Sequence, residues 1–313
     1  MEVKINRLKR YFGLTRAVDD ISFSFSSGEI VAFIGSNGAG KTTTMRILAT
    51  LDEPTEGDVE LDGVSAVNHP EQVRKLIGYM PDSLPTHRDM TVHEYLDFFA
   101  RAYSIPSEKR AQTIDDVQSF TGLGDIRNNT LHSLSKGMKQ RVSLGRALIH
   151  DPPVMVMDEP AAGLDPRARI ELRELLRILA DQGKAILISS HILTELSEIC
   201  GGAVIIEKGK IAVAGTLDEI LSQQAPQTVL AVRPAGGLEE ARQALMLLPN
   251  VENVAVVGNE LEARISGGEE EASQILSELM KQGIQIAEFK RRGGDLESLF
   301  MQITGKEDEG NGK

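Results

Sequence analysis

The sequence feature that most constrains the fold is a glycine-rich run of eight residues between a strand pattern and a helix pattern. EIVAFIG, an apolar run of strand length, leads into it, and TTTMRILATL continues with helical periodicity. The run matches G-x-x-x-x-G-K-[ST] at every position and consists of Gly35, Ser36, Asn37, Gly38, Ala39, Gly40, Lys41 and Thr42. Glycines let backbone N–H groups approach a polyphosphate, and the following helix adds its positive end. A chance glycine-rich turn is the alternative, but it would leave the flanking strand and helix unexplained.

A second run, Val154–Met157, predicts a buried strand that ends at two carboxylates, Asp158 and Glu159. Ligands of open α/β sheets bind in the crevice at the carboxyl ends of the strands, so both carboxylates are expected near the glycine-rich loop. There Lys41 would reach the β- and γ-phosphates of a bound polyphosphate, while the Thr42 hydroxyl and Asp158 would hold Mg²⁺. Glu159 would polarise the attacking water.

Composition limits the classes of function and the compartment. The 34 lysines and arginines against 46 aspartates and glutamates give a net charge of −12, which disfavours binding to nucleic-acid backbones. A single cysteine excludes an internal disulfide framework and a cysteine-rich zinc site. No apolar run approaches the roughly 20 residues that cross a bilayer, and the first residues lack the apolar stretch of a signal peptide. A soluble, cytoplasmic protein is expected, with any work at a membrane done through a partner.

The chain is expected to form two domains. Residues 1–222 alternate apolar strands with amphipathic helices, which is typical of an α/β fold whose largely parallel sheet is covered on both faces. A polar stretch with one proline, residues 222–228, predicts a linker. Residues 228–304 follow in the order βαββαβ, which predicts a small ferredoxin-like α+β domain. The charged, glycine-rich residues 305–313 predict a disordered tail.

Between the two predicted site elements lies LSKGMKQR, residues 134–141, which resembles the LSGGQ signature of the ABC (ATP-binding cassette) ATPases. Other elements of that family match in order along about residues 3–220. They are Phe12 for adenine stacking (with Tyr11 as a second candidate), Asp82 at the Q-loop position, the D-loop residue Asp165 within Gly163-Leu164-Asp165, and the switch histidine His191. The resemblance implies a P-loop NTPase cassette with a helical signature subdomain.

In this family two cassettes meet head to tail, and each ATP lies between them. The resemblance therefore implies a homodimer with two composite sites, in which ATP binding closes the dimer and hydrolysis releases it. Each nucleotide would contact the phosphate loop and Thr43 of one subunit and the signature residues of the other, namely Ser135, Lys136, Gly137 and Met138. Catalysis is assigned to Lys41, Glu159 and His191, of which His191 would hydrogen-bond the γ-phosphate.

Three departures from the usual motifs narrow the assignment. Lys136 replaces the first signature glycine, Met138 replaces the signature glutamine, and Asp82 replaces the Q-loop glutamine. Ser135 and Gly137 still allow a phosphate contact, which a cation at Lys136 would favour. A carboxylate at Asp82 cannot donate a hydrogen bond as an amide can. LSKGMKQR with an acidic Q-loop residue resembles the cassettes of ABC-2 type exporters that carry a C-terminal accessory domain.

That resemblance implies an ATPase subunit at the cytoplasmic face of the membrane, with ATP and Mg²⁺ as its ligands. Its partners would be a second copy and a separate integral membrane permease of the ABC-2 type, and no nucleic acid. The segment from Asp82 to Ile105 resembles the surface that receives the permease, but its aromatic cluster is equally consistent with core packing.

Two other classes of function fit the sequence less well than the exporter subunit. A soluble ABC ATPase acting on nucleic acid or the ribosome is disfavoured by the single continuous cassette, the lack of a heptad run and the net charge. A non-hydrolysing regulatory module would require the loss of Lys41 or Glu159, and both are present.

Overall fold

The computed structural model describes residues 1–84, 89–190, 198–217, 219–220 and 228–292. The chain divides into two compact units, Met1–Leu217 and Asp218–Lys313. The predicted linker at 222–228 lies, except for Thr228, outside the described residues. Among the residues described, no helix combines the length and the apolar character that a bilayer crossing requires.

The larger unit contains two sheets. Its strands are β1 (Glu2–Phe12), β2 (Thr15–Ser26), β3 (Ile30–Ile34), β4 (Glu56–Leu61), β5 (Val64–Ser65), β6 (Ile77–Met80), β7 (Val154–Met157), β8 (Ala185–Ser190), β9 (Gly202–Glu207) and β10 (Lys210–Thr216). The six-stranded sheet has the order β10-β9-β3-β8-β7-β6, and all neighbours from β9 to β6 pair in parallel. Every residue of β3, β7 and β8 is buried, as predicted for strands covered on both faces.

Two hairpins complete the strands of this unit. β10 returns antiparallel to β9 through Lys208 and Gly209, both at positive φ, which suits the tight two-residue turn predicted there. The antiparallel sheet, of order β2-β1-β4-β5, begins with a hairpin that sets Phe12 opposite Thr15. Its buried face shares one apolar core with the parallel sheet, and Phe33 lies in that core.

The helices of the larger unit are α1 (Lys41–Leu48), α2 (Pro70–Arg74), α3 (Val92–Ala102), α4 (Ser107–Phe120), α5 (Lys136–Leu148) and α6 (Pro166–Asp181). α3, α4 and α5 pack around a core of their own, in which Leu96 and Ile114 are buried. Side-chain caps fix where two of these helices begin, because Thr91 and Glu94 form a capping box at α3 and Ser135 caps α5. This group is the predicted helical subdomain that carries the signature residues.

The aromatic cluster of α3 divides between two environments. Tyr95 is buried, whereas Phe98 is 55% exposed. Phe99 packs edge-on against both rings, with centroid distances of 5.0 Å to Tyr95 and 5.2 Å to Phe98. Tyr103 lies flat on His150 at a centroid distance of 3.7 Å. Most of the cluster is therefore core, and Phe98 is the ring that it exposes.

Between residues 228 and 292, the smaller unit contains β11 (Thr228–Pro234), α7 (Leu238–Met246), β12 (Val251–Val257), β13 (Glu260–Ile265), α8 (Glu269–Lys281) and β14 (Ile286–Arg292). Its antiparallel sheet has the order β12-β13-β11-β14. Leu230 and Leu261 of the sheet pack with Ala241 of α7 and Ile275 of α8 in a separate core. The predicted βαββαβ order is confirmed. Residues 293–304 and the predicted tail at 305–313 lie outside the described residues.

Candidate nucleotide-binding site

The phosphate loop connects β3 to α1, and close contacts require two of its glycines. A Cβ at Gly35 would collide with the carbonyl oxygen of Ile206. One at Gly40, whose φ is +109°, would collide with the carbonyl oxygen of Ala17. α1 begins at Lys41 as predicted, so the loop ends at the positive end of a helix dipole.

Lys41 is held inside the loop that it is expected to serve. It is 7% exposed, and its ammonium group donates to the carbonyl oxygens of Gly35 and Ser36 at 2.7 and 3.1 Å. Burial lowers the pKa of Lys41, while nearby carboxylates, Glu159 first among them, oppose that shift. Both present acceptors are neutral carbonyls, so a phosphate oxygen would be a stronger, charged partner for the same group.

A carboxylate to which the sequence analysis assigned no role lies against the same loop. Ser36 Oγ donates to Glu207 Oε2 at 2.9 Å, and the charge of Glu207 also acts on Lys41. Glu207 is the last residue of β9, which neighbours β3 in the parallel sheet. The signal in the sequence was a carboxylate at the carboxyl end of a buried strand.

Asp158 is held by two hydroxyl groups, one for each carboxylate oxygen. Thr42 Oγ1 donates to Oδ2 at 2.7 Å, and Ser189 Oγ donates to Oδ1 at 2.6 Å. Both bonds are charge-assisted, because their acceptor is a carboxylate. Asp158 is 2% exposed and Ser189 is fully buried, so the bond between them is shielded from water, whereas Thr42 is exposed. The structure thus brings together the two residues expected to share a metal ion.

The oxygen atoms of Thr42 and Asp158 fit magnesium. Mg²⁺ prefers hard oxygen ligands, and it is usually bound by one or two carboxylates plus the phosphates of a substrate. No group of three or more His, Cys, Asp or Glu side chains that could hold a metal occurs in the described part of the chain. A single carboxylate and a hydroxyl, hydrogen-bonded to each other, are the protein's share of such a site.

Ser189 also fixes Glu159, the predicted base. Its hydroxyl group accepts from the Glu159 N–H at 2.9 Å while it donates to Asp158. Glu159 has φ +50°, in the left-handed region that residues other than glycine seldom occupy. Backbone strain of this kind persists where the surrounding structure holds it, and it concentrates at functional sites. Ser189 belongs to no motif of the sequence, although it is a hydroxyl residue near the end of β8, the strand beside β7.

The signature residues occupy the start of α5. Ser135 is the N-cap, and its hydroxyl group accepts from the Met138 N–H at 3.3 Å. Ser135, Lys136 and Met138 are exposed, and Gly137 is partly exposed. The predicted set therefore lies together at the accessible, positive end of a 13-residue helix.

The D-loop residue Asp165 serves as the N-cap of α6. Its Oδ1 accepts from the Ala168 N–H at 2.9 Å. The turn before it lies against the start of α5, since a Cβ on Gly137 would be 3.4 Å from Leu164 Cδ2. The D-loop and signature elements of one chain are thus in contact.

The two aromatic candidates for adenine stacking differ in availability. Phe12 is 49% exposed, with the Arg10 guanidinium 4.5 Å from its ring centroid. The Tyr11 hydroxyl donates to Asp19 at 2.7 Å, and the Arg16 guanidinium lies 5.5 Å from the Tyr11 ring centroid. Phe12 is the ring with more free surface, and it stays the predicted platform.

The Q-loop position lies at the same sheet edge as the acidic strand end. Asp82 follows β6, the parallel neighbour of β7, and the Asp158 N–H donates to the Met80 carbonyl at 2.8 Å. Gln140 Nε2 donates to the Asp82 carbonyl at 3.2 Å, which ties this backbone to α5. The predicted switch residue His191 lies outside the described residues.

Known proteins resemble this chain along almost its whole length. The family model described as ABC transporter matches residues 18–162. Nod factor export ATP-binding protein I of Ralstonia nicotianae is 30% identical over 305 residues, which cover 97% of this chain and 94% of that protein. The uncharacterized ABC transporter ATP-binding protein YxlF of Bacillus subtilis is 32% identical over 305 residues, which cover 96% of this chain and 99% of that protein.

A solved structure extends the match to three dimensions. The structure described as the ATP binding subunit of an ABC transporter has a TM-score of 0.66 and 31% identity, covering 71% of this chain and 93% of that chain. The α/β cassette fold and the ATPase activity that the motifs imply are confirmed. The loop around Lys41 and the carboxylates after β7 thus lie in a fold that binds and hydrolyses ATP, and the chain belongs to the family of ABC transporter ATP-binding subunits.

Proposed function

We propose that this chain is the ATP-hydrolysing subunit of an ABC-2 type exporter, which couples head-to-tail dimerisation of two copies to a separate membrane permease. The observation that carries the hydrolytic role is Ser189, whose hydroxyl group holds both Asp158 and Glu159 at the carboxyl end of the parallel sheet. Relatives named as Nod factor export ATP-binding proteins match 97% of this chain, including its smaller unit, and support the export role.

Two sequence features support the ABC-2 subtype. The segment LSKGMKQR departs from the usual signature at Lys136 and Met138, and Asp82 stands at the Q-loop position. The backbone of Asp82 is tied to the helix that carries the signature through Gln140, so a permease docked beside Asp82 would act on that helix. In this proposal the subunit would lie at the cytoplasmic face of the membrane, where the permease would hold it.

Binding of ATP would change the partners of Lys41. The ammonium group would leave the carbonyls of Gly35 and Ser36 and donate to phosphate oxygens instead, so that charged acceptors replace neutral ones. Thr42 and Asp158 would hold Mg²⁺, which neutralises phosphate charge when bound. The Glu159 carboxylate would accept a hydrogen bond from the attacking water and increase its nucleophilicity.

The second copy would complete each site through the start of its α5. Ser135 Oγ uses a lone pair to cap the helix, so its own hydrogen remains available to donate to a γ-phosphate oxygen. The exposed end of α5 adds backbone N–H groups and the positive end of the helix dipole. Each ATP would therefore bridge Lys41 of one copy and Ser135 of the other.

Glu159→Gln tests the hydrolytic assignment. The amide keeps the shape of the side chain but cannot act as a base, so we expect ATP binding to persist while phosphate release falls by at least about 100-fold. An ATP-bound dimer should then accumulate, which light scattering after gel filtration would detect. Phosphate release near the wild-type rate would refute the assignment.

The composite site and the permease need separate tests. Ser135→Arg should block hydrolysis but leave ATP binding to the phosphate loop of the same chain intact, and normal hydrolysis in this variant would contradict the dimer.

Affinity capture of the tagged chain from detergent-solubilised membranes should recover an integral membrane permease. Salt-sensitive binding of nucleic acid without such a partner would favour a soluble ATPase instead.

A further inference from the structure

The side chain of Lys136 crosses the turn that precedes α6. Its Nζ, Cδ and Cε atoms lie 2.5, 2.9 and 3.0 Å from the point that a Cβ on Gly163 would occupy. Gly163 has φ +71°, so the turn is left-handed where the lysine lies on it. Lys136 therefore fills the space that the missing side chain at position 163 leaves.

This turn is connected to the predicted base by consecutive hydrogen-bonded turns. The Ala162 N–H donates to the Glu159 carbonyl at 3.0 Å, and the Leu164 N–H donates to the Ala161 carbonyl at 3.2 Å. The side chain of Asp165 then caps α6. These hydrogen bonds restrict the conformation of residues 159–165, so a displacement of the turn would also shift Glu159.

Two roles are open to Lys136, one for its charge and one for its aliphatic stem. The residue is exposed, and the described part of the chain shows no hydrogen bond or ion pair to its ammonium group. The end of the side chain lies over Gly163, with Nζ nearest and with Cδ and Cε within 3.0 Å of the same point, so the stem has a defined position there. Amphipathic side chains of this kind contribute through the packing of their methylenes as well as through charge.

We propose that Lys136 is a positioning residue, whose stem braces the 163–165 turn against the start of α5 and thereby fixes Glu159. The start of α5 is where the proposed function places the nucleotide of the second copy. Lys136 would then link the nucleotide at this end of α5 to the base that the same chain supplies to its own site. The inference rests on the proposed function in this respect.

The test compares two substitutions of Lys136 in the full chain by steady-state phosphate release at varied ATP. For Lys136→Ala we expect a kcat about tenfold lower and a KM for ATP within about twofold of wild type, because the base is misplaced but the phosphate loop is intact. Lys136→Met keeps an unbranched stem without the charge, so its kcat should be about fivefold higher than that of Lys136→Ala. Lys139→Ala, the same change one turn along the helix, is the matched control and should match wild type.

Several outcomes would overturn the proposal. A wild-type kcat in Lys136→Ala would show that the residue has no positioning role. If kcat falls equally in the Ala and Met variants, the loss comes from the missing charge and hence from a phosphate contact. A Cβ at Gly163 would displace Lys136, so adding Lys136→Ala to Gly163→Ala should lower kcat by no more than about twofold further. Additive losses would show that the two residues act independently.

The proposed function can fail separately from this inference. If Glu159→Gln is inactive while Lys136→Ala is normal, only the role of Lys136 is wrong. If Glu159→Gln hydrolyses ATP at the wild-type rate, the proposed function itself is wrong.

Discussion

Replacing Ser189 by alanine removes one hydroxyl group that bonds to two residues, the buried Asp158 and the partly buried Glu159. Asp158 loses a donor at 2.6 Å, and the Glu159 N–H loses an acceptor at 2.9 Å. A hydrogen bond to a charged group contributes about 1.5–3 kcal/mol and a neutral one about 1 kcal/mol. Ser189 is fully buried, so solvent does not replace it. We therefore expect Ser189→Ala to lower the free energy of unfolding by about 3 kcal/mol, or Tm by about 6–12 °C.

Ser143→Ala is a control with the same chemistry and the same burial. Ser143 is also fully buried, in α5, but its hydroxyl group has no hydrogen-bond partner in the described structure. Removing an unpaired buried hydroxyl relieves a desolvation cost, and alanine has a higher helix propensity than serine by a few tenths of a kcal/mol. Ser143→Ala should therefore leave stability unchanged or raise it by up to about 1 kcal/mol.

The assay is thermal and urea unfolding of nucleotide-free protein, with phosphate release measured on the same samples. Ser189→Ala should also lower kcat, because Asp158 and Glu159 lose their common anchor, whereas Ser143→Ala should retain the wild-type rate. Equal stability of the two variants would refute the reasoning, since it would mean that the hydrogen bonds of Ser189 contribute nothing.

Two further predictions concern charge and pH. Glu207→Gln keeps an acceptor for Ser36 but removes a negative charge beside the phosphate loop, so ATP should bind about threefold more tightly at low ionic strength; calorimetry that finds an unchanged Kd would contradict this. Burial lowers the pKa of His150 from 6.5 to about 4, so the unfolded chain binds more protons within that window and stability falls as pH drops through it. His150→Phe keeps a ring against Tyr103 and should flatten this part of the pH dependence of urea unfolding, whereas an unaltered dependence would exclude His150 as its source.

The elements predicted from the sequence are those with a local signal. The phosphate loop, the buried strands β3, β7 and β8, and the βαββαβ unit each follow from periodicity and turn residues within a short window. The proximity of Asp158 to Thr42 was also predicted, because strand ends in a parallel sheet share one edge, and the structure adds the hydrogen bond between them. Local patterns were therefore enough to predict the site wherever the fold class determines which strand ends lie side by side.

The remaining site residues depend on distances that no local pattern encodes. Ser189 bonds to Asp158 across 31 positions, and Glu207 reaches Ser36 across 171. Neither pair forms a motif, because serine and carboxylate residues are common and nothing near them in the sequence marks the partner. The contact of Lys136 with Gly163 is likewise non-local. The sequence showed only that Lys136 departs from the usual signature, and the structure shows that its side chain packs on Gly163.

The internal partners of Lys41 have a consequence for how binding measurements are interpreted. The ammonium group already has two carbonyl acceptors, so the backbone of the loop itself supplies partners for the charge of Lys41. An incoming triphosphate competes with these acceptors as one ligand displaces another. The dissociation constant for ATP therefore reports a difference between two sets of bonds, and a change that weakens the carbonyl contacts would raise apparent affinity without adding any contact to the nucleotide.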